Sequence, residues 1–220
     1  MGGGDDLMAQ NETVYAFLTK TYKPNEPIFL SEVRVPGVKE SSVRQQFKKL
    51  TEDGLLKRFD TGVYYLPAKS MFRSGSALSV DEVIRRKYLM DGDIPCGYMC
   101  GIYLANQLGL TSQVPGAYEI CTNKATTDYR ETRLANLKVI LRKPYCRVDK
   151  DNVTTLQFLD LLREIGEVSE AEGEELKERL IDYMEKKKIR FDDMKPFLSH
   201  YPDRIYKNMY EVGLLNGISS

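Results

Sequence analysis

Histidine is almost missing from this chain: among 220 residues, His200 is the only one. A catalytic imidazole beside a thiol therefore has one candidate and no close partner in sequence. Cysteine is sparse as well, at Cys96, Cys100, Cys121 and Cys146. Structural zinc usually shows two close-spaced ligand pairs, and here only Cys96 and Cys100 are close, four apart as on one helix face. The four thiols read as buried and reduced rather than as a disulfide framework. No apolar run approaches the ~18 residues of a membrane-spanning helix. No P-loop, no dinucleotide-binding glycine fingerprint after a strand and no Gly-x-Ser-x-Gly elbow is present. Glu170, Glu172, Glu174, Glu175 and Glu178 read as a solvated helix start, and Asp91 and Asp93 as a turn. These absences leave no catalytic residue, metal ligand or cofactor to assign, and the expectation is a non-enzymatic, cytoplasmic protein with no membrane partner. Met1-Gly2-Gly3-Gly4-Asp5-Asp6 lacks the Ser or Thr that myristoylation favours and reads as a frayed end.

Charge of one sign is also lacking overall, with 32 basic against 32 acidic side chains. Along the chain the balance shifts. Residues 1–70 carry 10 basic and 9 acidic groups, residues 71–148 carry 11 and 7, and residues 149–220 carry 11 and 16. Modules with different partners would produce such a drift. The hydrophobic share of 42% is ample for buried cores.

The first module, 1–70, has an apolar pattern at Val14, Phe17, Leu18 and Tyr22 that predicts a helix from Glu12 to Tyr22. Ile28-Phe29-Leu30 reads as a short extended stretch, and Ser31 as the cap of a brief helix stopping before Pro36-Gly37. A third helix is expected from Glu40 to Asp53, closed by Gly54. Leu55–Phe59 and Val63–Leu66 read as strands joined by a hairpin turn at Asp60-Thr61-Gly62. That order predicts a winged helix-turn-helix. On the third helix Val43, Phe47 and Leu50 share the core side, while Ser41, Arg44, Gln45 and Lys48 share the other, flanked by Lys49. Hydroxyls, an amide and long cations are the groups that reach phosphates and base edges in a major groove. Lys57, Arg58 and Lys69 bracket the wing and would place further contacts on backbone phosphates. Winged helices also serve as protein-interaction modules, so both readings stand at this stage.

The second module, 71–149, reads as a small α+β domain. Ser79-Val80-Asp81-Glu82 is a capping-box pattern for a helix through Leu89. Gly97 to Leu108 predicts another helix, whose Gly97-x-x-x-Gly101 spacing would permit close backbone packing. Ala117–Thr122 and Leu137–Arg142 read as strands, joined by a polar loop carrying Lys124, Arg130 and Arg133. The third module, 150–220, reads as helical: an apolar stripe at Leu156, Leu159, Leu162 and Ile165, a helix over Glu172–Lys188, then two more helical stretches around Tyr201-Pro202. The fold class expected is therefore α+β, with an N-terminal winged helix-turn-helix, a small α+β middle domain and a helical C-terminal region.

The run Leu50-Thr51-Glu52-Asp53-Gly54-Leu55-Leu56-Lys57-Arg58, continued by Gly62–Pro67, resembles the winged-helix end of the AbiE-type (AbiEi-like) antitoxins, in a branch described as a domain of unknown function. The likeness continues through Ser76-Ala77-Leu78, Gly101, Leu104-Ala105-Asn106-Gln107-Leu108-Gly109-Leu110-Thr111-Ser112-Gln113-Val114-Pro115 and Tyr201-Pro202-Asp203-Arg204-Ile205. The resemblance implies an antitoxin and transcriptional regulator of a bacterial type IV toxin–antitoxin, abortive-infection (phage-defence) system. It implies that the N-terminal domain binds double-stranded DNA at inverted repeats in its own promoter and represses the operon. It also implies a nucleotidyltransferase-like toxin as a direct or indirect partner. By that resemblance the DNA contacts fall on Ser41, Ser42, Arg44, Gln45, Lys48, Lys49 and the wing around Thr61. A ligand-sensing regulator whose middle unit holds a small effector is the other alternative.

Overall fold

The computed structural model describes residues 13–68 and 78–215, so the Met1–Asp6 lead, Glu12, Lys69, Ser76 and Ala77 lie outside the described residues. The protein is α+β and divides into two compact units, 1–86 and 87–220.

In the N-terminal unit, helix α1 covers residues 13–21 and sends Val14 and Leu18 into a core shared with Val43, Phe47 and Leu50 of α2 (Glu40–Glu52). Strand β1 (Ile28–Phe29) pairs with β3 (Val63–Tyr65), which pairs with β2 (Lys57–Asp60), all antiparallel in the order β1-β3-β2. The β2 register slips between Arg58 and Asp60, a bulge just before the turn. Gly62 holds that turn at φ +74, a backbone region that side chains with a Cβ rarely enter. Phe47 meets Tyr64 edge to face with centroids 5.0 Å apart, which locks α2 onto the hairpin. The helix ends as its sequence dictates: Gly54 takes φ +72, and the Leu55 and Leu56 amides both donate to the Leu50 carbonyl.

The brief helix expected after Ser31 does not form. Residues 30–32 and 36–37 make turns, and Val33 and Val35 are both buried in the core. Alternate burial needs extended backbone, and Pro36 pushes Val35 away from the helical region, so packing and proline act together.

Helix α3 (Val80–Ile84) continues as a π-helical turn over Arg85–Leu89. Ser79 sits at its N-cap without a side-chain bond. The predicted capping box fails because the Glu82 carboxylate is gripped by Arg85, whose Nε and Nη2 donate at 3.0 Å each.

The C-terminal unit is built on a four-stranded sheet ordered β6-β7-β9-β8: Gly97–Met99, Tyr118–Thr122, Leu137–Arg142 and Tyr129–Leu134. A two-stranded hairpin precedes it, β4 (Met90–Asp91) with β5 (Ile94–Pro95) around Gly92. Strands β7 and β9 are parallel, and the other neighbours are antiparallel. Two expectations change here. Gly97 to Leu108 is not one helix: Gly97 lies in β6, and α4 (Gly101–Gln107) starts only at Gly101, which takes φ +63. A Cβ on Gly97 would stand 2.6 Å from the Cys121 carbonyl of β7 and 2.8 Å from that of Tyr88 in the π-helical turn, so the glycine serves close backbone approach on both sides of β6. Cys96 and Cys100 consequently flank a strand and share no helix face. The polar loop between the expected strands is also largely a strand, β8, which carries Arg130 and Arg133 at the sheet edge.

Helices α5 (Val153–Val168), α6 (Gly173–Lys187), α7 (Phe191–Leu198) and α8 (Arg204–Glu211) complete the unit. Tyr98 and Cys121 of the sheet belong to the same core as Leu156, Phe158 and Leu162 of α5, Leu180 of α6, Met194 of α7 and Ile205 of α8. The sheet and the helices are thus one packed body, where the sequence suggested a boundary near residue 150. The apolar stripe of α5 is wide because it is covered on both sides. Among the described residues no helix is long and apolar enough to cross a membrane.

Candidate nucleic-acid interface

Helix α2 has two faces with different chemistry. Val43, Phe47 and Leu50 are buried, while Ser41, Arg44, Gln45 and Lys48 are exposed at spacings of three, four and seven residues along one stripe. Ser42 and Lys49 flank the stripe, half-buried. Arg44 and the Gln45 side chain have no ion-pair or hydrogen-bond partner among the described residues, so their donors are open to water. Lys48 has only a long contact to Glu52, 3.9 Å between strongly exposed groups, which contributes little to stability and is easily exchanged for another anion. Arg34 and Glu40 pair at 3.3 Å near the start of the helix.

The hairpin holds the remaining sequence-nominated residues. Arg58 and Thr61 are exposed and Lys57 is half-buried. Arg58 lies along the turn, where its Nη2 donates to Thr61 Oγ1 at 3.1 Å and its Nε to the Asp60 carbonyl at 3.3 Å. The Thr61 amide donates to Asp60 Oδ1 at 2.7 Å, so the turn is tied by its own side chains. Phe47 against Tyr64 packs the hairpin on the helix, and both sets of polar residues belong to one compact unit.

Beside the stripe lies a residue that sequence reasoning passed over. Gln46 is buried, and its Oε1 has no partner among the described residues. An unpaired buried amide oxygen costs about 1–3 kcal/mol, so Gln46 is a weak point of the helix. Gln45 and Gln46 are the same residue type one position apart, separated only by 100° of helix rotation.

A second polar constellation, in the C-terminal unit, was not anticipated. On α5, Asp160, Arg163 and Glu164 are all buried inside the apolar stripe. Asp160 accepts from the Tyr98 hydroxyl at 2.6 Å, the Cys121 thiol at 3.1 Å and Arg163 Nε at 3.2 Å. Glu164 Oε1 accepts from Arg163 Nη2 at 2.6 Å and from Arg142 Nη1, and Arg142 Nη2 reaches Glu119 at 2.9 Å. Cys100 Sγ stands 3.7 Å from Cys121 Sγ.

These surroundings shift the titrations. Burial raises the Glu119 carboxyl above its ordinary value, with the Arg142 guanidinium acting against it. The Cys121 thiol is pushed well up by its bond with Cys100 and by burial, and the Tyr98 hydroxyl by burial and Asp160. Burial disfavours charge on Arg163, but Asp160 and Glu164 outweigh it and hold the guanidinium firmly charged. The sequence signal was an acid, an arginine and an acid at i, i+3 and i+4 within Leu159–Ile165, where flanking leucines leave no polar face for them. No group of His, Cys, Asp or Glu among the described residues is arranged to hold a metal ion.

Compared with known proteins, the chain matches no family model and no curated sequence.

Proposed function

We propose that this protein is a DNA-binding transcriptional repressor that doubles as the antitoxin of a bacterial type IV toxin–antitoxin, abortive-infection system and represses its own operon. In this reading the N-terminal unit is a winged helix-turn-helix, α2 is the recognition helix and the β2–β3 hairpin is the wing. The observation that carries it is the free donor set on α2: Arg44 and Gln45 are exposed with no partner among the described residues, beside Ser41 and Lys48 on one stripe. Gln45 is the base reader, bidentate to an adenine edge, and Arg44 reads guanine or grips phosphate. Ser41, Ser42, Lys48, Lys49, Lys57, Arg58 and Thr61 contact the phosphate backbone. The segment between α1 and α2 contributes packing through Val33 and Val35 and, lacking a helix, leaves recognition to α2.

The antitoxin half rests on the resemblance of residues 50–58, 62–67, 76–78, 101, 104–115 and 201–205 to the AbiE-type family. The partner is a nucleotidyltransferase-like toxin, opposed directly or indirectly in the cytoplasm. The protein acts by binding and does no chemistry of its own.

Fluorescence anisotropy with a duplex from the region upstream of the gene, titrated over a salt series, tests the DNA reading. Each phosphate neutralised should steepen the log–log slope by about 0.9. Gln45→Ala is expected to relax preference at one base position, and Lys48→Ala to weaken all sequences alike and flatten the slope by about one phosphate. Binding that ignores salt, or equal sequence-independent losses from both variants, overturns it and favours a protein-contacting role for the same face. Rescue of growth by co-expression with a nucleotidyltransferase-like neighbour tests the antitoxin half separately.

A further inference from the structure

The rung formed by Cys121, Arg142 and Tyr129 crosses three strands, with Arg142 of β9 directly opposite both others. Residues paired across a sheet share a face, and here all three line a cavity of about 520 Å³ with Lys143, Tyr145 and Arg163. It opens at the carboxyl ends of β7 and β9, the parallel pair, where open α/β sheets characteristically place ligands. A volume in the range of 300–1,000 Å³ suits a small organic molecule.

The hydrogen bonds around this cavity do not balance, and the surplus has one sign. Asp160, at its wall, already accepts from Tyr98, Cys121 and Arg163. Arg163 is only 8% exposed, yet it uses Nε and Nη2 alone. Its Nη1 has no acceptor among the described residues and is not sealed away. Arg142 Nε, at the same wall, is buried without a partner among the described residues. Lys143 is exposed and has no carboxylate partner among the described residues. Asp128 sits at the margin in water, which screens it. What Arg163 Nη1, Arg142 Nε and Lys143 lack is an acceptor among the described residues. The cavity wall also offers ring surface: Tyr129 and Tyr145 are 53% and 44% exposed, and Tyr145 is already packed by Arg163 at 5.5 Å and by Tyr201 at 4.7 Å.

We propose that this cavity binds a small organic oxyanion, whose phosphate or carboxylate group meets Arg163 Nη1 and Lys143 and whose flat body lies against Tyr129 and Tyr145. A guanidinium held in place by two buried carboxylates is preorganised for such a group, since little side-chain freedom remains to be lost on binding. The site lies wholly within the C-terminal unit and does not depend on the DNA reading.

Isothermal titration calorimetry of the full chain, without DNA, tests it with four probes: inorganic phosphate, benzoate, adenosine 5′-monophosphate and uncharged adenosine. At least one anion should bind saturably at one site, more weakly as salt rises, and adenosine should not. The phosphate and benzoate arms separate the two head groups. Lys143→Ala, at an exposed position that leaves the fold intact, should weaken binding about tenfold, the loss of roughly one charge-assisted contact. Arg163→Lys, checked for folding by circular dichroism, should weaken it further. Absence of saturable binding by all three anions, adenosine binding as tightly as its monophosphate, or an unchanged affinity in Lys143→Ala each overturns the site. Because DNA is absent throughout, failure here leaves the repressor reading untouched, and failure of the repressor reading leaves this site untouched.

Discussion

Helices α2 and α5 carry the same kind of polar triplet and use it in opposite ways. On α2, Ser41, Arg44 and Gln45 stand at i, i+3 and i+4 and face water; on α5, Asp160, Arg163 and Glu164 stand at the same spacing and face a sheet. Arg44 has no ion pair among the described residues, whereas Arg163 is clamped by two carboxylates and lies over the Tyr145 ring. An exposed cation keeps its hydration and its freedom, so it costs the fold nothing and remains available to an outside partner. A buried cation is retained only with partners in place, and removing one of them leaves an uncompensated charge.

The sharpest break of that contrast is Asp160→Ala. It strips the acceptor from Tyr98, Cys121 and Arg163 Nε at once and should cost about 3–5 kcal/mol, read as a lower urea midpoint with an unchanged slope. Gly97→Ala should follow at about 1–3 kcal/mol, because its Cβ meets two backbone carbonyls that cannot yield without moving β6, β7 or the π-helical turn. A smaller, pH-dependent effect belongs to Glu119. Its folded carboxyl titrates above the ordinary 4.5, so the folded state holds the proton more tightly. Its contribution is therefore fully present below pH 4.5 and is lost as pH rises through the folded value. Glu119→Gln keeps an acceptor for Arg142, and its urea midpoint should gain on the wild type from pH 4.5 upward; parallel profiles would contradict this. Arg44→Ala should be the smallest, within about 0.5 kcal/mol of wild type in stability, while the salt slope for DNA falls. A large stability loss from Arg44→Ala would mean that α2 and α5 are not the opposites described.

Much of the N-terminal unit was legible in the sequence. The core and solvent faces of α2 follow from helical period alone, and Gly54 and the Asp60-Thr61-Gly62 turn were set by local backbone chemistry. The stretch after Ser31 was misread because a serine cap is a weak signal beside two valines that the core requires. In the C-terminal unit β6 and β8 were missed for a different reason. Gly97–Met99 and Tyr129–Leu134 have no strong strand pattern, and each is extended because β7 or β9 lies alongside it. The Cys100–Cys121 proximity was equally hidden, since it joins positions 21 residues apart across that sheet.

The sequence by itself determined the elements whose causes are local: the amphipathic helices, their glycine stops, the hairpin, and which side of α2 meets water. Tertiary structure decided what the polar residues of α5 do, because i, i+3, i+4 spacing describes a solvated ion-pair stripe and a buried network equally well. Only the sheet that covers Asp160, Arg163 and Glu164, by excluding water from them, turns the one into the other.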